Sequence, residues 1–221
     1  MQNSSEPKST KKKKPTKVLP ERRNGLYYLN GKKYVSITTA LQSIAKPQLI
    51  PWAAKGAARA ALDDPTLSEN EALAAIYGKR DEKAKLGSVI HSLLEMAEQG
   101  AKMEVATLPP DYRGYVTAYN KFHEDWQPEP ISINGKTIKE TTVFSDKYGI
   151  AGKLDTVLKV RSGKVGIVDF KTGGVYEEAQ LQGEAYKVCV EEMGLLKPDF
   201  TATLQLKPDG TYLFHENAGN N

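Results

Sequence analysis

Three charged side chains sit in or beside strand-like apolar runs. Asp155 lies inside residues 151–160, Asp169 closes residues 164–170, and Lys171 follows two positions later. Leu154, Val157, Leu158 and Val160, then Val165, Ile167 and Val168, supply the β-branched and apolar content of a half-buried hairpin. Arg161-Ser162-Gly163 forms its turn. Period-two alternation puts Asp169 and Lys171 on one face. A carboxylate buried in a sheet is costly unless it is paired or bound to a cation. Two carboxylates from adjacent strands, with an ammonium beside them, make a pocket for a divalent metal and a phosphate.

Helices must complete that pocket. Residues 177–193 read as a helix stopped by Gly194, and Gln182 and Tyr186 stand one turn apart on it, an amide and a phenol on one face. Residues 81–98 carry Leu86, Val89, Ile90, Leu93, Leu94 and Ala97 at helical spacing. His91 and Glu95 are four apart on that helix. A lone histidine there reads as structural or as a ligand, and Glu95 either orients the imidazole or faces water. Glu140, on a strand over residues 136–144, is a further ligand candidate or a solvent-facing edge residue.

The remaining chain is built from familiar signals. Residues 26–35 read as a hairpin around Asn30-Gly31. A short helix capped by Ser36 or Thr38 runs to Ile44, and Lys46-Pro47 ends it. Pro51 opens an alanine-rich helix over residues 52–62, in which Trp52 reads as a core anchor, with a stacking platform for an unpaired base as the alternative. Separate helices follow over residues 68–77 and 81–98, then an aromatic one over 112–126, which Pro128 and Pro130 end. A short strand lies near Ile131, and two final strands, 200–206 and 211–215, flank Pro208-Asp209-Gly210. Thr172-Gly173-Gly174 is a turn and lacks the full pattern of a phosphate-binding P-loop.

With 221 residues and 39% apolar content the chain can build one full core. No apolar run approaches a membrane span. The polar, lysine-rich start has no apolar core of a secretory signal. The single cysteine, Cys189, excludes an internal disulfide framework and a four-cysteine iron–sulfur staple, and fits a reducing cytoplasm. Of the net charge of +4, residues 1–23 hold +6, with eight basic residues against Glu6 and Glu21. The expected organisation is a disordered basic tail over 1–23 that can track phosphates, then one domain over 24–221. Within it, 24–80 hold the first hairpin and helices and 81–215 the core.

Gly152-x-x-Asp155, Asp169-x-Lys171 and Gln182-x-x-x-Tyr186, with Gly87-x-x-x-His91-x-x-x-Glu95 upstream, resemble the PD-(D/E)xK nuclease superfamily. The likeness is to its RecB-like exonuclease branch, which includes the mitochondrial genome maintenance exonuclease and many phage enzymes. Leu154 stands where the superfamily's name has proline. The resemblance spans roughly residues 88–186 and, more faintly, 35–62. It implies a mixed α/β fold, a restriction-endonuclease-like core whose mixed central sheet is flanked by helices, with an N-terminal helical extension. It implies a Mg²⁺- or Mn²⁺-dependent exonuclease acting on DNA in recombination, repair or phage DNA processing. Asp155, Asp169, the Phe170 carbonyl and His91 are then the metal ligands, with Glu140 and Glu95 as further candidates. Lys171 holds the attacking water or offsets phosphate charge, and Gln182 and Tyr186 position Lys171 or the strand. A single-strand annealing or replication protein is an implied partner, and a bacterial or phage-infected cytoplasm the implied setting. The alternatives are an inactive DNA-binding module of the same fold, a structure-specific endonuclease, or another metal-dependent hydrolase on an α/β scaffold.

Overall fold

Asn-Gly pairs shape the start of the chain. The structure, a computed structural model, describes residues 21–44, 46–47, 49–98 and 103–217. Strands β1 (Glu21–Arg23), β2 (Leu26–Leu29) and β3 (Lys32–Ser36) form an antiparallel meander. Both residues of Asn24-Gly25 and of Asn30-Gly31 have positive φ, the backbone that matches a two-residue turn to right-handed strand twist. Glu21 to Arg23, expected in the tail, are therefore strand: Glu21 pairs with Tyr28 and Arg23 with Leu26. Residues 1–20, the rest of the expected tail, lie outside the described residues.

Helix α1 (Ile37–Ala40) and a tight turn, Leu41–Ser43, follow. Ser36 sits at the cap position, but its hydroxyl engages Thr38 Oγ1 at 2.8 Å rather than a backbone N–H. Helix α2 (Leu49–Asp63) leads into α3 (Glu69–Glu98), one continuous helix where two were expected. Gly78 interrupts α3 at a cost of about 1 kcal/mol relative to alanine. Good helix formers on both sides outweigh that, and Ala72 and Ile76 are buried just ahead of it. A reciprocal cap starts α3: Ser68 N–H donates to Glu71 Oε2 at 2.8 Å, and Glu71 N–H to Ser68 Oγ at 3.4 Å. Trp52 is not a core anchor, since 44% of its surface is open.

Helix α4 (Pro110–Trp126) is followed by short strands β4 (Glu129–Pro130), β5 (Ser132–Ile133) and β6 (Lys136–Thr137), then β7 (Lys139–Ser145). The turn Asn134-Gly135 joins β5 to β6, and the single strand the sequence suggested over 136–144 is interrupted at Ile138, between β6 and β7. The long hairpin is β8 (Ile150–Lys159) and β9 (Val165–Lys171), and α5 (Glu177–Glu192) carries the chain to β10 (Phe200–Leu206) and β11 (Tyr212–Asn217). The fold is mixed α/β. One sheet of nine strands runs β1-β2-β3-β8-β9-β10-β11, with β4 and β7 also on β8. The pairs β3–β8 and β9–β10 are parallel and the others antiparallel.

Helices cover both faces. Ile90 and Leu94 of α3 and Tyr119 and Phe122 of α4 pack on Leu158, Val168, Phe170 and Leu204. Tyr186, Cys189 and Val190 of α5 pack on the other side with Leu154, Val157 and Ile167. No helix among the described residues is long and apolar enough to cross a membrane. Helix α4 lies so close to the β10–β11 turn that a Cβ on Gly114 would stand 1.8 Å from the Pro208 carbonyl oxygen. Gly114→Ala should lower stability by about 1–3 kcal/mol, read as a shift in urea midpoint at constant slope.

Candidate active site

Strands β8 and β9 separate where the acids begin. Their pairing runs from Lys159↔Val165 to Thr156↔Val168 and stops there. Beyond it a side chain bridges the gap: the Phe170 N–H donates to Asp155 Oδ2 at 2.8 Å. The carboxylate does what a strand carbonyl would have done, and leaves the strand ends apart.

Asp169 is buried, 5% exposed. Its Oδ1 accepts from Gln182 Nε2 at 2.9 Å, and Oδ2 lies 2.6 Å from Lys171 Nζ. That Oδ2 has no well-aimed hydrogen bond, so the lysine holds it by charge. Gln182 Nε2 is also 3.2 Å from the Tyr186 hydroxyl, which donates to the Lys153 carbonyl at 2.8 Å. Gln182 thus braces Asp169 from α5, with the Tyr186 hydroxyl behind it; the sequence suggests that this pair positions Lys171 or the strand, and the hydrogen bond runs to Asp169. The Tyr186 ring is buried and does not face solvent. Gly152 makes room for it, because a Cβ there would stand 2.7 Å from the ring and 3.0 Å from Ile37 Cδ1.

On the α3 side, His91 Nδ1 is 3.7 Å from Asp155 Oδ2, and the ring meets Phe170 edge-on. Burial lowers the imidazole pKa, against the pull of Asp169, and a backbone hydrogen bond with Phe170 also favours the charged ring. Depressed below its ordinary value, His91 is neutral at pH 7 and keeps a lone pair for a cation. Burial, then the repulsion of Asp169, hold the Asp155 carboxyl well above the usual carboxylate range.

Glu140 has φ of +44°, unusual for a residue with a side chain. It lies between two paired positions of β7, Lys139↔Thr156 and Thr141↔Leu154, and so opposite Asp155. It makes an ion pair with Lys153. It shares one small cavity with His91, Glu95, Glu98, Lys139 and Asp155. Glu95 is held there by α3, and its backbone carbonyl accepts from Lys139 Nζ at 3.3 Å.

Glu98 was not singled out in the sequence, although it stands seven residues after His91 on one helical stripe. Burial pushes its carboxyl up to about 7, with Glu140 and Glu95 adding to the shift and Lys139 opposing it. An acid raised in the folded state contributes stability below its unfolded value, and that stability is lost as pH rises through about 7. Glu98→Gln should match the parent near pH 4 and exceed it at pH 8 by on the order of 1–2 kcal/mol in urea unfolding.

Among the described residues no three His, Cys, Asp or Glu side chains converge on one point ready to hold an ion. The donor set nevertheless fits a hard divalent cation: two carboxylates, a neutral imidazole and backbone oxygen. Asp169 Oδ2 is the informative atom, buried and satisfied only by the Lys171 ammonium. A cation there would take the place of that lysine and relieve the repulsion between Asp155 and Asp169.

No family model matches the chain, and no curated protein matches it. Among solved structures, the crystal structure of SSO0001 covers 82% of this chain and 74% of its own, at 14% identity and a TM-score of 0.28. Likeness at that level carries no argument about activity.

Proposed function

We propose that this chain is a metal-dependent deoxyribonuclease of the PD-(D/E)xK kind, of RecB-like type, that degrades DNA from ends. The observation that carries the reading is Asp155 and Asp169 on diverging neighbour strands, with Lys171 against the second acid. Asp155, Asp169, His91 and the Phe170 carbonyl would hold Mg²⁺ or Mn²⁺, with Glu140 and Glu95 close by. Such an ion lowers the pKa of water and offsets charge on a phosphate. Gln182 keeps Asp169 in one orientation, and His91 offers an uncharged nitrogen. Lys171, released from Asp169, has its ammonium free to hold a water or to meet the negative charge that grows on the phosphate.

Labelled linear and circular DNA, each with Mg²⁺, Mn²⁺ or EDTA, test this. The expected result is release of short products from linear DNA only, and only with metal. Cutting of the circle would mean an endonuclease. Binding without cutting under every metal would mean an inactive module and would overturn the proposal. His91→Ala should raise the Mn²⁺ concentration for half-maximal cleavage by at least about tenfold, with partial rescue at saturation. In the parent, the acid limb of the pH profile should fall below about 6.5, because burial lowers the His91 pKa.

A further inference from the structure

The exposed indole of Trp52 borders a groove that the catalytic reading does not use. Helices α2 and α3 approach through small residues, and a Cβ on Gly56 would touch Ile76 Cγ1 at 3.3 Å. Beside that contact runs a groove of about 270 Å³, with Trp52 and Gly56 on one wall and Ile76, Lys79 and Lys83 on the other. Its lining is apolar at the floor and basic at the rim. Arg59 and Arg80 also line it, but each is matched, to Asp63 at 3.2 Å and Asp81 at 2.9 Å. Glu82 is the acid on the wall. No ion pair among the described residues uses Lys79 or Lys83. Two unmatched ammonium groups beside an open aromatic face suit an anionic polymer with flat rings.

The groove opens beside the first turn of α2, and a second groove at that turn reaches the candidate site. Lys171 and Gln182 line this second groove of about 270 Å³, together with Lys46, Leu49 and Tyr176. Leu49 and Trp52 are three residues apart on α2, neighbours on its surface, so the first turn of α2 borders both grooves. Helix α3 runs from the first groove to the site as well, since Lys83 and His91 are eight residues apart, about 12 Å along the axis.

We propose that the α2–α3 groove is a subsite for single-stranded nucleic acid. One unpaired base stacks on Trp52, and Lys79 and Lys83 hold the adjoining phosphates. The strand then runs over Leu49 toward Lys171. Inside a duplex each base face is covered by its neighbours, so the subsite favours unpaired strands over duplex. The strand's destination rests on the nuclease reading; its binding in the groove does not.

The test is a titration of the full chain with a 20-nucleotide oligothymidylate in EDTA, followed by tryptophan fluorescence and by anisotropy of a labelled strand. Binding should quench the indole. Trp52→Ala should weaken binding about tenfold, and Trp52→Phe should keep most of the affinity while removing the quench. Lys79→Ala with Lys83→Ala should flatten the log–log salt slope by about 1.4. An oligothymidylate affinity unchanged in Trp52→Ala, or a quench that survives Trp52→Phe, would overturn the subsite. The nuclease reading stands or falls separately, on hydrolysis of thymidine 5′-(p-nitrophenyl phosphate) by the parent in Mn²⁺, a substrate too short to reach the groove.

Discussion

Asp169→Asn should slow single-turnover DNA cleavage by about 10³-fold, roughly 4 kcal/mol of transition-state stabilisation, with the fold and DNA affinity nearly unchanged. Asparagine keeps the Oδ1 that accepts from Gln182 at 2.9 Å, so the α5 brace survives. What is lost is the charge beside Lys171 and the anionic oxygen that would bind a cation. Lys171→Ala should cost about 10²-fold for the complementary reason, since it removes the ammonium and leaves the acid. Both variants should lose kcat and kcat/KM together, the mark of an interaction made in the transition state. Either variant working within tenfold of the parent would remove its residue from the reaction.

Asp155→Asn should be inactive and, without metal, more stable than the parent. The parent buries two carboxylates near one another, and burial plus Asp169 raise the Asp155 pKa above its unfolded value of 3.8. The stability Asp155 contributes is therefore complete below that pH and lost as pH rises through the raised value. Asparagine still accepts from the Phe170 N–H and carries no charge, so the loss disappears. Saturating Mn²⁺ should raise the melting temperature of the parent and do so much less for the variant. A variant less stable than the parent at pH 8 would mean that Asp155 is structural, not poised for a cation.

These residues were legible because their signals are local. Asp155 and Asp169 break apolar runs, and the Gln182–Tyr186 spacing is fixed by helical geometry. Gly152 is legible as a motif position, but its reason, the Tyr186 ring 2.7 Å from where a Cβ would be, needs three dimensions. Other features depend on what packs where. Glu98 reads as one more solvated acid until α3 packs on α4 and brings it beside Lys139 and Glu140. The left-handed backbone of Glu140 leaves no trace in residue type, since a glutamate seldom adopts it. A tryptophan in an alanine-rich helix usually reads as core, and Trp52 departs from that because, among the described residues, α2 packs chiefly on α3 and leaves the indole open. The two helices read across 68–98 are one, since Gly78 weakens a helix without breaking it when good helix formers flank it and Ile76 anchors the turn before. At the other end, Asn24-Gly25 carries the same turn signal as Asn30-Gly31, but the lysine-rich, apolar-poor run before it has no strand pattern of its own.

On the proposed function, Asp169 and its neighbours cut phosphodiester bonds when a divalent ion is present. Single-turnover cleavage of one 5′-labelled linear strand tests it, comparing parent and Asp169→Asn purified identically and stripped with EDTA before Mn²⁺ is added. The expected result is no product before the ion, rapid product from the parent after it, and about 10³-fold less from the variant. Equal product from both proteins, or none from the parent at any Mn²⁺ concentration, would contradict it.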